Sequence, residues 1–117
     1  MRIHEKILIV ALIAGASACG GSSNYTTGTG GTPVPNTIDA NPSLAFLPAN
    51  LTVASGTTVT FTFDGVEHNV TFTAATGVPA DVPNSINTTV QRTFNTTGSF
   101  AYHCTIHPQM TGTITVQ

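Results

Sequence analysis

Cys104, His107 and Met110 follow one another at three-residue intervals, and His68 stands well upstream of them. Cysteine, methionine and histidine are scarce in these 117 residues, at two, two and four copies, so their meeting in Tyr102-His103-Cys104-Thr105-Ile106-His107-Pro108-Gln109-Met110 selects a chemistry. A thiolate, two imidazoles and a thioether make up the trigonal His2Cys site, with a weak axial Met, that holds copper for electron transfer. Thiolate and thioether favour Cu(I), while imidazole accommodates both oxidation states. A rigid scaffold then keeps one geometry for both, and little reorganisation accompanies the electron. The spacing has a structural reason as well. Cys104 ends one strand, His107 and Met110 lie on the loop into the last strand, and a tight loop aims all three at one point. His68 must come from a separate strand adjacent in space.

Singly, each residue has a plainer use. Cys104 suits an inert buried thiol, Met110 suits core packing, and His68 or His107 suits an ordinary surface position. A disulfide between Cys19 and Cys104 is a further option, although it would tie a floppy segment to a strand end. Only the joint arrangement favours metal. His103 stands apart, because neighbouring strand residues point to opposite faces and it cannot share the metal of Cys104. A second copper centre would need several more histidines. His103 therefore reads as a structural or surface residue, and the chain as no enzyme.

The elements that must position these side chains are β-strands. The 22 threonines of the chain suit strands rather than helices. Val59-Thr60-Phe61-Thr62-Phe63 alternates with period two, and Asp64-Gly65 is a turn signal. His68, Val70 and Phe72 then share one face, with Asn69 and Thr71 on the other. Thr88 to Phe94 is another strand, with its turn at Asn95 to Gly98. Phe100, Tyr102 and Cys104 line one face of the next, and Thr113 to Val116 forms the last. No helical period occurs beyond the N-terminal leader. Short strands with turn residues between them predict an all-β fold, an antiparallel Greek-key β-sandwich.

Residues 1–18 have the make-up of a signal peptide: Arg2 and Lys6, an apolar run from Ile7 to Ile13, and small residues up to Ala18. Ala16-Ser17-Ala18-Cys19 resembles the lipobox of bacterial lipoproteins, with Ala16 where leucine is usual, so cleavage before Cys19 and its lipidation are expected. Ordinary cleavage near Ala18 would instead leave a soluble periplasmic protein. Residues 19–36 form a Gly/Ser/Thr/Pro linker, whose random-coil reach is roughly 20–25 Å. Residues 37–117 are the folded domain. Once the leader is gone, Arg92 alone stands against Asp39, Asp64, Glu67 and Asp81, which excludes nucleic acid as the main partner. The five Asn-x-Ser/Thr sequons, at Asn24, Asn50, Asn69, Asn87 and Asn95, are what a Thr-rich chain throws up by chance.

The ligand loop and the segment Glu67-His68-Asn69-Val70-Thr71-Phe72 together resemble the cupredoxin family, above all its plastocyanin and amicyanin branch. The Cys-x-x-His-x-x-Met loop has the short amicyanin-like length, and His68-Asn69-Val70 looks like the family's His-Asn-Val strand. The resemblance covers about Ser43 to Gln117. It implies a β-sandwich binding one type 1 (blue) copper ion (Cu+/Cu2+) through His68, Cys104 and His107, with Met110 axial. Asn69 and Thr105 match positions that hydrogen-bond around the ligand loop and the thiolate. The expected function is a monomeric, lipid-anchored electron carrier, periplasmic or at the cell surface, whose redox protein partners dock near His107. Copper storage or delivery through the same site is the alternative, and a metal-free adhesion sandwich a third.

Overall fold

The computed structural model describes residues 35–117. The leader, Cys19 and nearly all of the linker lie outside the described residues. Nine strands follow in order: β1 (Thr37–Asn41), β2 (Ala45–Leu47), β3 (Asn50–Val53), β4 (Thr57–Phe63), β5 (His68–Phe72), β6 (Val82–Ser85), β7 (Thr88–Phe94), β8 (Gly98–His103) and β9 (Thr111–Val116). They form two sheets, β2-β1-β4-β7 and β3-β9-β8-β5-β6.

Alternation explains why the sheets face each other. In β4, Val59, Phe61 and Phe63 are fully buried, while the threonines between them turn outward. There the Thr58 and Thr93 hydroxyls meet at 2.9 Å across the β4–β7 pair. From the other sheet come Val70 and Phe72 of β5, Phe100 and Tyr102 of β8, and Ile114 and Val116 of β9. Phe61, Phe72 and Tyr102 pack edge to face with centroids 5.8–6.4 Å apart. Phe46 closes on Tyr102 at 4.8 Å. Such pairs add about 0.5–1.5 kcal/mol each beyond the area they bury. The core therefore lies between the sheets.

The sandwich agrees with the expectation from sequence, but the sheets are mixed rather than wholly antiparallel. Strand β1 runs parallel to β4, from Thr37 opposite Thr60 to Ala40 opposite Phe63. Strand β3 runs parallel to β9, from Asn50 opposite Thr113 to Val53 opposite Val116. The cause is a change of sheet. The chain leaves β2 in the first sheet and enters β3 in the second after only Pro48 and Ala49, which sends β3 alongside a strand far away in sequence.

Two local features position the site. The β1–β2 turn is held by the Leu44 N–H donating to the Asn41 carbonyl at 3.0 Å and the Ser43 N–H donating to Asn41 Oδ1 at 3.0 Å. Leu44 sits there at φ 62°, a left-handed conformation that bulky residues seldom adopt. The β5–β6 pair is irregular: His68 faces Ser85 and Val70 faces Val82, so Pro83 and Asn84 together oppose Asn69. Two residues against one make a β-bulge. Pro83, which has no N–H to give, is accommodated in it.

Candidate metal centre

Cys104 follows directly on β8, and the loop behind it is closed by backbone bonds. The Met110 N–H donates to the His107 carbonyl at 2.9 Å, and the Cys104 N–H donates to the Met110 carbonyl at 3.0 Å. Pro108 and Gln109 complete the turn. Cys104, His107 and Met110 thus leave the chain from one loop closed by backbone bonds.

The second imidazole arrives from β5. His68, Cys104 and His107 place their ligand atoms within 4.8 Å of one another. His107 Nδ1 stands 3.1 Å from His68 Nδ1 and 3.8 Å from Cys104 Sγ. His68 Nε2 lies 3.2 Å from the Asn41 carbonyl, which can only accept, so Nε2 carries the proton and Nδ1 turns its lone pair inward. Asn41 therefore uses one carbonyl twice, for its own turn and for the ring of His68. This role escaped the sequence reading, because a backbone carbonyl leaves no residue signature. Burial lowers the His68 pKa below 6.5, and the neighbouring His107 adds to the effect; the Asn41 carbonyl and Asp39 act in the opposite direction. The imidazole is kept neutral, as a metal ligand must be.

Around the sulfur the geometry is equally specific. Cys104 is fully buried, and the Asn69 backbone N–H donates to Sγ at 3.5 Å. The Asn69 side chain then clasps the residue after the cysteine. The Thr105 N–H donates to Asn69 Oδ1 at 2.9 Å, and Asn69 Nδ2 donates to Thr105 Oγ1 at 2.6 Å. Although Asn69 alternates with the core-facing residues of β5, it is only 7% exposed, covered by this clasp. Met110 is buried at 1% and belongs to the apolar core at the end of the loop. His107 is half-buried and opens onto a depression of about 480 Å³, shared with Ser43, Leu44, Ile106, Pro108, Gln109 and Met110. His103 faces elsewhere, into a separate groove with Asn50, Thr73 and Thr111, as strand alternation requires.

The donor set fits copper. One buried thiol and two imidazoles converge, with a buried thioether at the loop end, a soft and borderline set of the kind found in His2Cys sites. Among the described residues there is no second cysteine to build the two- or four-thiolate shell of a structural zinc site.

Known proteins agree with this geometry. Residues 33–117 match the model of the copper binding proteins of the plastocyanin/azurin family. Amicyanin-alpha of Methylorubrum extorquens is 33% identical over 78 residues, which are 63% of this chain and 66% of that protein. The match thus spans a little under two thirds of that relative. Among solved structures, an oxidised mutant amicyanin superposes with a TM-score of 0.63 at 29% identity, covering 71% of this chain and 82% of that one. The copper-containing nitrite reductase of Thermus scotoductus SA-01 gives a TM-score of 0.62 at 30% identity, over 74% of this chain but only 23% of the enzyme. With the donor cluster and the sandwich both accounted for, the chain belongs to the plastocyanin/azurin family of copper-binding proteins, and its site is that of one copper ion.

Proposed function

We propose that this protein is an exported carrier of single electrons, with His68, Cys104 and His107 as copper ligands and Met110 as the axial one. The observation that carries the reading is the convergence of one buried thiol and two imidazole Nδ1 atoms within 4.8 Å. Copper bound there supplies a one-electron couple between Cu(I) and Cu(II). The chain's own part is to hold the donors still. Asn41 orients His68, Asn69 directs an N–H at the sulfur, and the closed loop fixes His107 relative to Cys104. No donor need move when the charge changes, which suits repeated transfer.

Half-buried His107 is the one donor of the three that opens to the surface, and no charged side chain lines the depression around it. This supports docking of redox partners at that face, since a small uncharged patch permits close approach and quick release. The full burial of the other two donors, His68 and Cys104, argues against copper storage or delivery, which needs a metal presented for exchange. Apart from His68 and His107, the described residues contain one histidine, His103, too few for a second copper centre, which supports a carrier rather than an enzyme. Anchoring through Cys19, a tether over residues 19–36, a monomeric state and a periplasmic or cell-surface location complete the proposal.

The test is optical. Adding Cu(II) to the purified protein is expected to give an intense blue or green thiolate-to-copper band, and Cys104→Ser to abolish it while the sandwich stays folded. A pale complex in the wild type, or a band that survives in the variant, would remove the proposal.

A further inference from the structure

We propose that Asn84 is a positioning residue of the copper centre, acting through Asn69 and anchored in turn by Glu67. The proposal rests on the copper reading above. Its starting point is the polarity of a chain of hydrogen bonds. The Thr105 backbone N–H can only donate, so the Asn69 atom it meets at 2.9 Å is the amide oxygen. The Asn69 amide nitrogen therefore faces the other way, toward Thr105 Oγ1 at 2.6 Å and Asn84 Oδ1 at 2.9 Å. Both of its protons are used. Asn84 must then accept from Asn69, which turns its own Nδ2 to Glu67 Oε1 at 3.4 Å. One direction runs unbroken from a surface carboxylate to the residue behind Cys104.

The backbone brings Asn84 there deliberately. In a regular ladder a single β6 residue would face Asn69, whereas the β5–β6 bulge sets Pro83 and Asn84 against it. Bulges re-aim side chains, and this one aims an amide at an amide. What Asn84 holds matters because Asn69 acts on the site twice. Its backbone N–H meets Cys104 Sγ at 3.5 Å, and its side chain clasps Thr105. Without Asn84, one proton of an almost buried amide has no acceptor, and the amide gains a reason to turn. Donors aimed at a thiolate stabilise the more electron-rich reduced centre, so loosening them lowers the reduction potential.

Three measurements test this. In the copper protein, Asn84→Leu is expected to shift the oxidised-to-reduced equilibrium by about threefold toward Cu(II), which is ~28 mV at 59 mV per tenfold for one electron. Repeated in an Asn69→Ala background, the same substitution is expected to change nothing, since the group it acts through is gone. In the copper-free protein, Asn84→Leu is expected to speed hydrogen exchange at the Thr105 amide by about tenfold. Asn84→Asp, which keeps an acceptor for Asn69, leaves that exchange slow. Asn84→Ala runs alongside, in case leucine is not tolerated on β6. Wild-type potential and wild-type Thr105 exchange in the leucine and alanine variants would overturn the proposal. So would a shift of equal size with and without Asn69, which marks a general effect of disturbing an edge strand. The copper-free measurement keeps its meaning even if the blue band never appears, so failure of the functional reading and failure of this one are told apart.

Discussion

Met110 ends the ligand loop with its side chain buried and its backbone bonded to both His107 and Cys104. Met110 is the only methionine among the described residues. Replacing it by glutamine puts an amide oxygen where a soft sulfur stood, and oxygen favours Cu(II). Met110→Gln is expected to lower the reduction potential by at least one tenfold step in the equilibrium, ~59 mV for one electron. Redox titration of the variant checks it, and an unchanged potential would show that Met110 is not axial. The candidate donors could be picked out because their residue types are rare in this chain and three of the four crowd one loop, and the structure brings His68, Cys104 and His107 together. Asn69 and Thr105 were legible only by resemblance, and the structure adds the hydrogen bonds that join them. Asn41 and Asn84 were not legible. One acts through a backbone carbonyl, and the other through a bulge that no local pattern announces.

Strands β8 and β9 carry the loop, and their ladder sets Tyr102 opposite Gly112. The Tyr102 ring lies across the glycine, and any Cβ built there runs into that ring. Tyr102 is 2% exposed and wedged against Phe46, so it has nowhere to retreat. Gly112→Ala is expected to cost about 1–3 kcal/mol as overpacking. Urea denaturation should show this as a lower midpoint at unchanged slope; an alanine variant as stable as wild type would mean that the ring swings aside. The alternating strands were readable. Thr88 to Phe94 is β7 to the residue, while β4 and β9 begin two residues earlier than their patterns suggested. Strands β1, β2, β3 and β6 were not resolved individually. The first three span five residues or fewer, and β6 contains a proline that argues against a strand in any place but an edge or a bulge.

At the scale of the whole molecule, an uncharged face lies at the end where His107 opens. Leu44 and Ile106 are exposed there, and the left-handed turn at residue 44 offers its side chain to the same depression. A charge set into this face, as in Pro108→Glu, is expected to slow electron exchange with a partner several-fold while leaving the absorption band in place. Stopped-flow kinetics against wild type decides it, and equal rates would move the docking site elsewhere. At the other extreme of the chain, Cys19→Ser is expected to shift the protein from the membrane to the soluble exported fraction with its spectrum intact. Persistent membrane association would count against a lipid anchor. The sandwich was legible from strand spacing and turns, but its parallel pairs were not, since pairing across so much sequence leaves no local trace. One of those pairs also sets a timetable. Strand β9 occupies the interior of its sheet, between β3 and β8, whereas the opposite sheet is complete once Phe94 has been made. A chain synthesised from its N-terminus can therefore close one wall while the other still has a gap. A nascent chain halted before Thr111 already contains Cys104, His107 and Met110, yet it lacks the strand that braces them. A metal site braced on both sides is then expected only after β9 has joined its sheet.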